Sequence, residues 1–419
     1  MSKIKNCRSC GDPELARGAN EGGTRLLPVL SLGQTPLANA LLTAADLGNP
    51  EPTFPLDLVF CPACTLVQIT EEVPPEAMFG EYLYFSSFSD TMVAHAKTLA
   101  ERLVKDRKLG PESLVLEVAS NDGYLLQHYQ DAGVPVLGVE PAANVAKAAE
   151  EKGIPTLVRF FGAEVAISLA CQGDRADVIH ANNVLAHVPD LNGVVAGFAN
   201  VVKEDGVVVV EVPWVKDLVD RCAFDTIYHE HLCYFSLHAL GRLFARHGLI
   251  VNDVERLPEL HGGSLRLFAS KRGERGASVQ DLLAEEKASG VDTFAYYATF
   301  AERVAALKNE ILTTLHALRG EGAKVAAYGA AAKGATLANF VGMDKSLLSF
   351  VVDRSTHKQG RFMPGTRQPI LAPSALVERQ ADVCLLFTWN FEAEILAQQT
   401  AWRQRGGRFV IPVPHIRFV

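Results

Sequence analysis

No apolar run in the 419-residue sequence approaches the roughly 18 residues a membrane helix needs; the best are short, such as residues 207–210. The opening MSKIKNCRSC is basic but has no apolar stretch and no cleavage site, so a leader is not expected and a cytoplasmic protein is. Positive charge is in deficit. Forty Lys and Arg against 48 Asp and Glu leave a net charge of −8, which repels phosphate backbones and argues against nucleic-acid partners. Low-complexity tracts and short internal repeats are missing, and 48% hydrophobic with 21% charged residues excludes a fibrous or disordered chain. Also absent are GxGxxG, the Gly-Lys-Ser/Thr of a P-loop, and HExxH; dinucleotide binding, triphosphate hydrolysis and zinc-protease chemistry lose their signatures. What remains is a soluble chain long enough for two to three domains of about 150 residues.

Cysteine is sparse but unevenly placed. Four of the eight form two CxxC pairs, Cys7/Cys10 and Cys61/Cys64, while Cys171, Cys222, Cys233 and Cys384 are scattered. Two such turns present four thiolates to one point, the donor set of a structural zinc ion. Fifty residues lie between the pairs, more than the roughly 15 to 20 of a compact zinc ribbon. The insert therefore reads as a small unit of its own. A redox CxxC normally occurs once beside a βαβ pattern, which is not found here. Zinc held by four cysteines has no open position and should stabilise, not catalyse.

The patterning divides the chain into a zinc unit over residues 1–75, an α/β domain over 76–273 and a second α/β domain over 274–419. From Tyr82 the chain turns helical, with three- and four-residue apolar spacing after Met92. Strands are expected at 114–118, 135–139, 176–180 and 206–212 with helices between, the mark of a parallel doubly wound sheet. A helix near 236–246 has Ser236 as its cap. Two late strands, 250–256 and 264–269, flank the turn-rich 258–263 stretch and make a closing hairpin typical of methyltransferase sheets. Residues 274–276 read as a linker and 279–319 as one long amphipathic helical stretch. The second domain has expected strands at 325–328, 348–352, 383–387 and 409–413.

Open α/β sheets bind ligands beyond the carboxyl ends of their strands. In LVLEVASNDGYLL (114–126), Glu117, Ala119, Asn121 and Gly123 fall on the first strand end and its turn. Gly123 lets the backbone approach a ligand, and Glu140 ends the second strand, where a carboxylate can take both ribose hydroxyls. With the closing hairpin, these features make S-adenosylmethionine (SAM) the expected cofactor. The strand expected at 176–180 ends in HANNVLAHVPDL, which brings Asn182, Asn183 and His187 to the same edge. The one at 206–212 leads to Tyr228, His229, Glu230 and His231; if extended, that segment turns the two histidines one way and Tyr228 and Glu230 the other. In the second domain VAAYGAAAKGATLANF reads strand, small-residue turn, helix, with Lys333 as a point charge for a diphosphate. Asp353 ends the next strand there. Trp389 and Asn390 end the third, with the indole as a stacking surface for a base or as a domain contact. Ser264, with His261 in the closing hairpin, could line the same cleft.

Together with YxYFSSFSD at 82–90, YHEHLCYFSL, HGGSLRLF and the late AAYGAAAKGATLANF, these segments resemble the bacterial nucleotide-sugar C-methyltransferases over essentially the whole chain. The resemblance implies an N-terminal zinc domain, a central class I SAM-methyltransferase sheet of Rossmann-like α/β form, and a C-terminal Rossmann-like domain. It implies methyl transfer to C-3 or C-5, beside the ketone of a nucleotide-linked 4-keto-deoxysugar. By motif, its general base falls on His231 and companion active-site groups on Tyr82, His187, Tyr228 and Glu230. Such chemistry needs a base, because a carbon nucleophile has no lone pair until an acidic C–H is removed. Two other classes compete. One is a SAM-dependent O- or N-methyltransferase, whose acceptor needs no enolate; the other is a non-catalytic zinc-containing scaffold.

Overall fold

The computed structural model describes residues 2–4, 6–11, 26–73, 85–258 and 262–419. Short strand β1 (Ser2–Lys3) starts the chain. It is followed by β2 (Leu27–Thr35), β3 (Phe54–Phe60), β4 (Val67–Ile69) and β5 (Glu71–Glu72), which pairs with β1. β2, β3 and β4 form an antiparallel meander where the sequence shows only a punctuated insert. Pro28 and Gly33 hide β2: register shifts near both residues interrupt its alternation. The buried Leu30, Leu32, Leu56, Leu58 and Leu66 give this small unit its apolar filling.

Helix α1 (Asp90–Arg107) opens the central domain, capped by the Ser89 hydroxyl, which accepts from the Met92 N–H. Its start is eight residues after Tyr82, which lies outside the described residues. The strands that follow are β6 (Val115–Val118), β7 (Val136–Val139), β8 (Thr156–Leu157), β9 (Ala176–Asn182) and β10 (Val202–Pro213). All five run parallel. Next, β11 (Cys233–Tyr234) leaves this sheet and pairs instead with β4 of the zinc unit. Helix α2 (Leu237–Arg246) is capped by Ser236, as its sequence suggests. β12 (Ile250–Leu257) and β13 (Ser264–Ser270) then close the sheet as an antiparallel hairpin.

The strand order β12-β13-β10-β9-β6-β7-β8 puts antiparallel β13 beside β10 and makes β6/β9 the point where the order reverses. That is the methyltransferase-type sheet the closing hairpin suggests, and β6/β9 is the place where such sheets open a crevice. Valines dominate its centre: Val115, Val178, Val208, Val209 and Val210 are essentially inaccessible, which favours β-branched residues packed on both faces.

The expected long helix over 279–319 is broken. Gly290 takes φ +79° and ends α3 (Ala277–Ser289); a separate helix α4 (Phe300–Gly320) follows. Buried Glu286 on α3 accepts from the Trp214 indole at 2.7 Å and from the Leu237 and His238 N–H groups at 2.7 and 3.0 Å. It thereby fastens α3 to the start of α2, adding charge at a helix N-terminus. The last domain holds β14 (Val325–Tyr328), α5 (Ala332–Val341), β15 (Val351–Val352), β16 (Ile370–Leu371), β17 (Val383–Leu386), β18 (Arg408–Ile411) and β19 (Arg417–Phe418). Its order β16-β15-β14-β17-β18-β19 is parallel except for β19, a second Rossmann-like sheet with its switch point at β14/β17. No helix among the described residues is long and apolar enough to cross a membrane.

Candidate active site and zinc centre

The four paired cysteines converge. Their sulfurs all lie within 4.8 Å of one another, with Cys7–Cys64 at 3.4 Å and Cys10–Cys61 at 3.7 Å. A disulfide needs about 2.05 Å. Four sulfurs about 2.3 Å from one ion stand roughly 3.8 Å apart, so the donor set fits tetrahedral zinc. The two turns share one backbone form: the Gly11 N–H donates to the Cys7 carbonyl (2.9 Å) and the Thr65 N–H to the Cys61 carbonyl (2.8 Å). Gly11 takes φ +67° and Thr65 φ +65°; a β-branched residue held there is strained, which the paired metal turns account for. Gln68, fully buried, donates its amide to Cys7 Sγ at 3.0 Å and fixes that ligand from outside. The zinc unit also docks on the central domain, since the Asn192 amide donates to the Arg8 and Ser9 carbonyls.

At the β6/β9 crevice the loop after β6 has left-handed backbone at Ala119 (φ +54°), Asn121 (φ +51°) and Gly123 (φ +76°). Glu140 holds this loop: its carboxylate accepts the Asn121 N–H at 2.9 Å and the Ala142 N–H at 2.8 Å. Each oxygen keeps a second acceptor site. Glu117 is buried with Oε2 unpartnered, and burial, then Glu140, Asp122 and Glu211, push its carboxyl well above the ordinary range. Asn182 at the end of β9 likewise has a buried unpartnered Oδ1, and Asn183 beside it takes φ +57°. An acid-rich crevice with orphaned acceptors suits a ligand that brings positive charge and donors, and SAM carries both a sulfonium and an ammonium. A Cβ on Gly123 would press against the Ile154 side chain, and the residue holds a left-handed φ. Gly123→Ala is therefore expected to cost about 1–3 kcal/mol and to weaken SAM binding. Urea midpoints and calorimetry test it; a variant with parental values of both contradicts the loop's role.

The histidine cluster is a turn, not an extended strand. The His231 N–H donates to the Tyr228 carbonyl at 2.9 Å, so residues 228 and 231 come to one side, contrary to the expected alternation. Their rings are tilted at 31° with centroids 4.0 Å apart, and the His187 ring meets His231 edge-on at 4.8 Å. His231 Nδ1 lies 3.0 Å from the Thr226 carbonyl, which only accepts; that nitrogen therefore bears the proton. Nε2 is left with its lone pair, 2.8 Å from the Tyr228 hydroxyl. His229 points the other way, buried on Phe54 with Nε2 3.0 Å from the Pro55 carbonyl, and burial lowers its pKa. It is a packing residue, not a partner of His231.

Glu230 also faces the zinc unit, where the Asn39 amide donates to both its oxygens at 2.8 and 2.7 Å. Burial raises its carboxyl from the ordinary 4.5 to about 7, with Asn39 opposing. A folded-state pKa above the unfolded one means the folded chain holds a proton the unfolded chain releases between about pH 4.5 and 7. Stability attributable to this group thus falls as pH rises across that window. Glu230→Gln should reduce the loss of stability between pH 5 and pH 8, read from urea midpoints at both; an unchanged pH dependence contradicts the raised pKa.

Residues singled out in the last domain divide into two groups. Asp353 does for that domain what Glu140 does for the central one: it accepts the Ala330 N–H at 2.8 Å from the small-residue turn. Lys333, Trp389 and Asn390 come together, but on the buried carboxylate of Asp225 in the central domain. The Lys333 ammonium lies 3.7 Å over the indole, 3.1 Å from Asn390 Oδ1 and 4.0 Å from Asp225. The Trp389 N–H donates to Asp225 at 2.8 Å. One face of the indole is therefore covered by a cation and its N–H is committed to Asp225, which favours the domain contact of the two alternatives read for Trp389. The charge of Lys333 is likewise directed to Asp225 and not to an open diphosphate site. Ser264 starts β13 opposite Pro213, beside the mouth of β10. Tyr82 and His261 lie outside the described residues. Sequence reasoning missed Asn39 and Asp225, each far in sequence from its partners and without a local motif.

Three family models match in succession: a "Putative zinc binding domain" over residues 22–79, a "Methyltransferase domain" over 92–253 and a "C-methyltransferase C-terminal domain" over 259–414. The chain is 35% identical over 419 residues to the C-methyltransferase NovU of Streptomyces niveus, covering 99% of this chain and 97% of that protein. Among solved structures, magnesium protoporphyrin IX methyltransferase from Synechocystis with bound SAM is 15% identical, covering 47% of this chain and 89% of its own, with a TM-score of 0.34. A SAM-dependent methyltransferase from Clostridium acetobutylicum is 13% identical, covering 42% and 91%, with a TM-score of 0.35. The whole-length match and the three successive domains show that the chain belongs to the C-methyltransferase family of NovU and is a SAM-dependent C-methyltransferase with a zinc-binding unit.

Proposed function

We propose that the protein methylates a nucleotide-linked 4-keto-deoxysugar at the carbon α to its ketone, C-3 or C-5, through an enolate formed by the protein. The observation that carries this reading is the proton placement at His231. Its Nδ1–H is committed to the Thr226 carbonyl, so the imidazole presents Nε2 as a base beside the Tyr228 hydroxyl and the His187 ring. An imidazole nitrogen with its lone pair available suits removal of a C–H made acidic by a neighbouring ketone. As Nε2 gains the proton, the Tyr228 hydroxyl is released to donate to the developing enolate oxygen, with His187 a second donor. Tyr82 belongs to the same group by motif. Glu230, on the same turn and held by the Asn39 amide, keeps acceptor capacity for a sugar hydroxyl.

Glu117, Asn121, Gly123, Glu140, Asn182 and Asn183, with the backbone at Ala119, would hold SAM at the β6/β9 crevice; bound there, it supplies an electrophilic methyl group on sulfur. The C-terminal domain offers its β14/β17 switch point to the nucleotide, with Asp353 shaping the turn, while Asp225, Lys333, Trp389 and Asn390 fasten that domain to the turn bearing His231. In this division residues 1–75 bind zinc, 76–273 carry out transfer and 274–419 hold the sugar nucleotide.

The test separates proton removal from methyl transfer. A panel of nucleotide-linked 4-keto sugars is incubated in D2O with the protein and no methyl donor. Deuterium entering the carbon beside the ketone supports the reading; a panel without exchange at any such carbon rejects it.

A further inference from the structure

We propose that Asn39, on the loop between the two cysteine pairs, is a positioning residue that sets the orientation and charge of Glu230. This rests on reading the 228–231 turn as part of the active site. The loop is held on both sides of Asn39. The Ala40 N–H donates to the Leu37 carbonyl at 3.1 Å, the Leu41 N–H to the Asn39 carbonyl at 2.9 Å, and Leu42 bridges to Phe362 of the C-terminal domain. Ala38 is buried beneath it. Asn39 is thus presented at the junction of all three units, and its single amide nitrogen spans both oxygens of a carboxylate 191 residues away.

An amide nitrogen only donates, so this contact favours ionised Glu230 and opposes burial, which favours the neutral acid. Turned over, the Asn39 carbonyl would face the carboxylate and be tolerated only with a proton between them. The neighbouring titratable groups are occupied elsewhere: His229 with the Pro55 carbonyl, and His231 with Thr226 and Tyr228. Among the described residues, Asn39 is the side chain that holds the Glu230 oxygens. The 50-residue spacing that looks too long for a compact zinc ribbon thereby gains a purpose, because the insert carries a side chain onto the turn that bears His231.

Glu230 can be followed without any substrate. Zinc-loaded full-length protein labelled with 13C at glutamate Cδ is titrated by NMR, and the Glu230 resonance is assigned by its loss in Glu230→Gln. Asn39→Ala should raise the Glu230 midpoint by about one unit, and Asn39→Asp, which opposes it with like charge, by more. Asn39→Ser, retaining one donor, should lie between parent and Asn39→Ala, and it serves if the alanine variant loses its fold. With a turned-over sugar from the panel, Asn39→Ala should lower kcat about 10- to 100-fold and move the pH–rate profile with the Glu230 midpoint. A shifted titration in a protein that turns over none of the sugars supports the Asn39–Glu230 link and rejects the substrate reading instead. Unchanged Glu230 titration in Asn39→Ala and Asn39→Asp, with parental zinc content and near-ultraviolet circular dichroism, overturns the proposal.

Discussion

Replacing His231 with asparagine is expected to lower methyl transfer about 10²- to 10⁴-fold while SAM affinity and zinc content stay at parental values. Asparagine can still donate to the Thr226 carbonyl that now receives the His231 Nδ1–H. It offers no basic lone pair in place of Nε2, so the chemical loss should exceed what the lost ring contacts with Tyr228 and His187 cost. Deuterium uptake beside the ketone should fall in parallel, because proton removal precedes transfer. The Tyr228 hydroxyl, 2.8 Å from Nε2 in the parent, loses its acceptor. Tyr228→Phe should therefore show a smaller deficit than His231→Asn, as the donor to the enolate goes but the base remains. Equal turnover by the His231→Asn variant and its parent contradicts the assignment.

Removing zinc should abolish turnover even though the four cysteines have no position open to substrate. Zinc bound by four thiolates contributes roughly 10 kcal/mol or more to a small domain, so the chelated protein should lose its N-terminal order and melt about 10 °C or more lower. The structural link to catalysis is short. Cys64 leads in three residues to β4, β4 pairs with β11, and the Ile69 N–H donates to the Leu232 carbonyl at 3.0 Å, next to His231. The Leu232 N–H in turn donates to the Ala186 carbonyl at 2.7 Å, next to His187. Loss of β4 thus frees both histidines at once. Cys64→Ser should reproduce the chelated behaviour, measured by zinc content, melting and turnover together. A zinc-free protein with parental melting and turnover would break this chain of cause.

The central sheet was legible because parallel strands buried on both faces are written as unbroken valine and leucine runs, as at residues 207–210. The closing hairpin and the Ser236 cap were legible for similarly local reasons. The cysteine pairs could be read because metal turns have fixed spacing. The zinc unit's sheet could not: Pro28 and Gly33 disturb its first strand, and its fourth strand lies at Cys233, in another part of the chain. The 228–231 segment misled because alternation presumes an extended backbone, while a single turn places residues three apart together. Trp389 stayed open between base stacking and domain contact because sequence cannot show that a lysine lies over its ring. Asn39 and Asp225 carry no motif; their meaning arises only when the chain folds back across separations of 191 and 164 residues to bring them onto Glu230 and Trp389.

The measurement closest to the central claim is the position of the transferred methyl group. SAM labelled with 13C in its methyl is incubated with the protein and a nucleotide-linked 4-keto-deoxysugar, and the product is examined by NMR. Carbon methylation predicts a new methyl signal in the aliphatic range, with coupling to the ring carbon beside the ketone. A methyl signal in the methoxyl range, attached through oxygen, contradicts it.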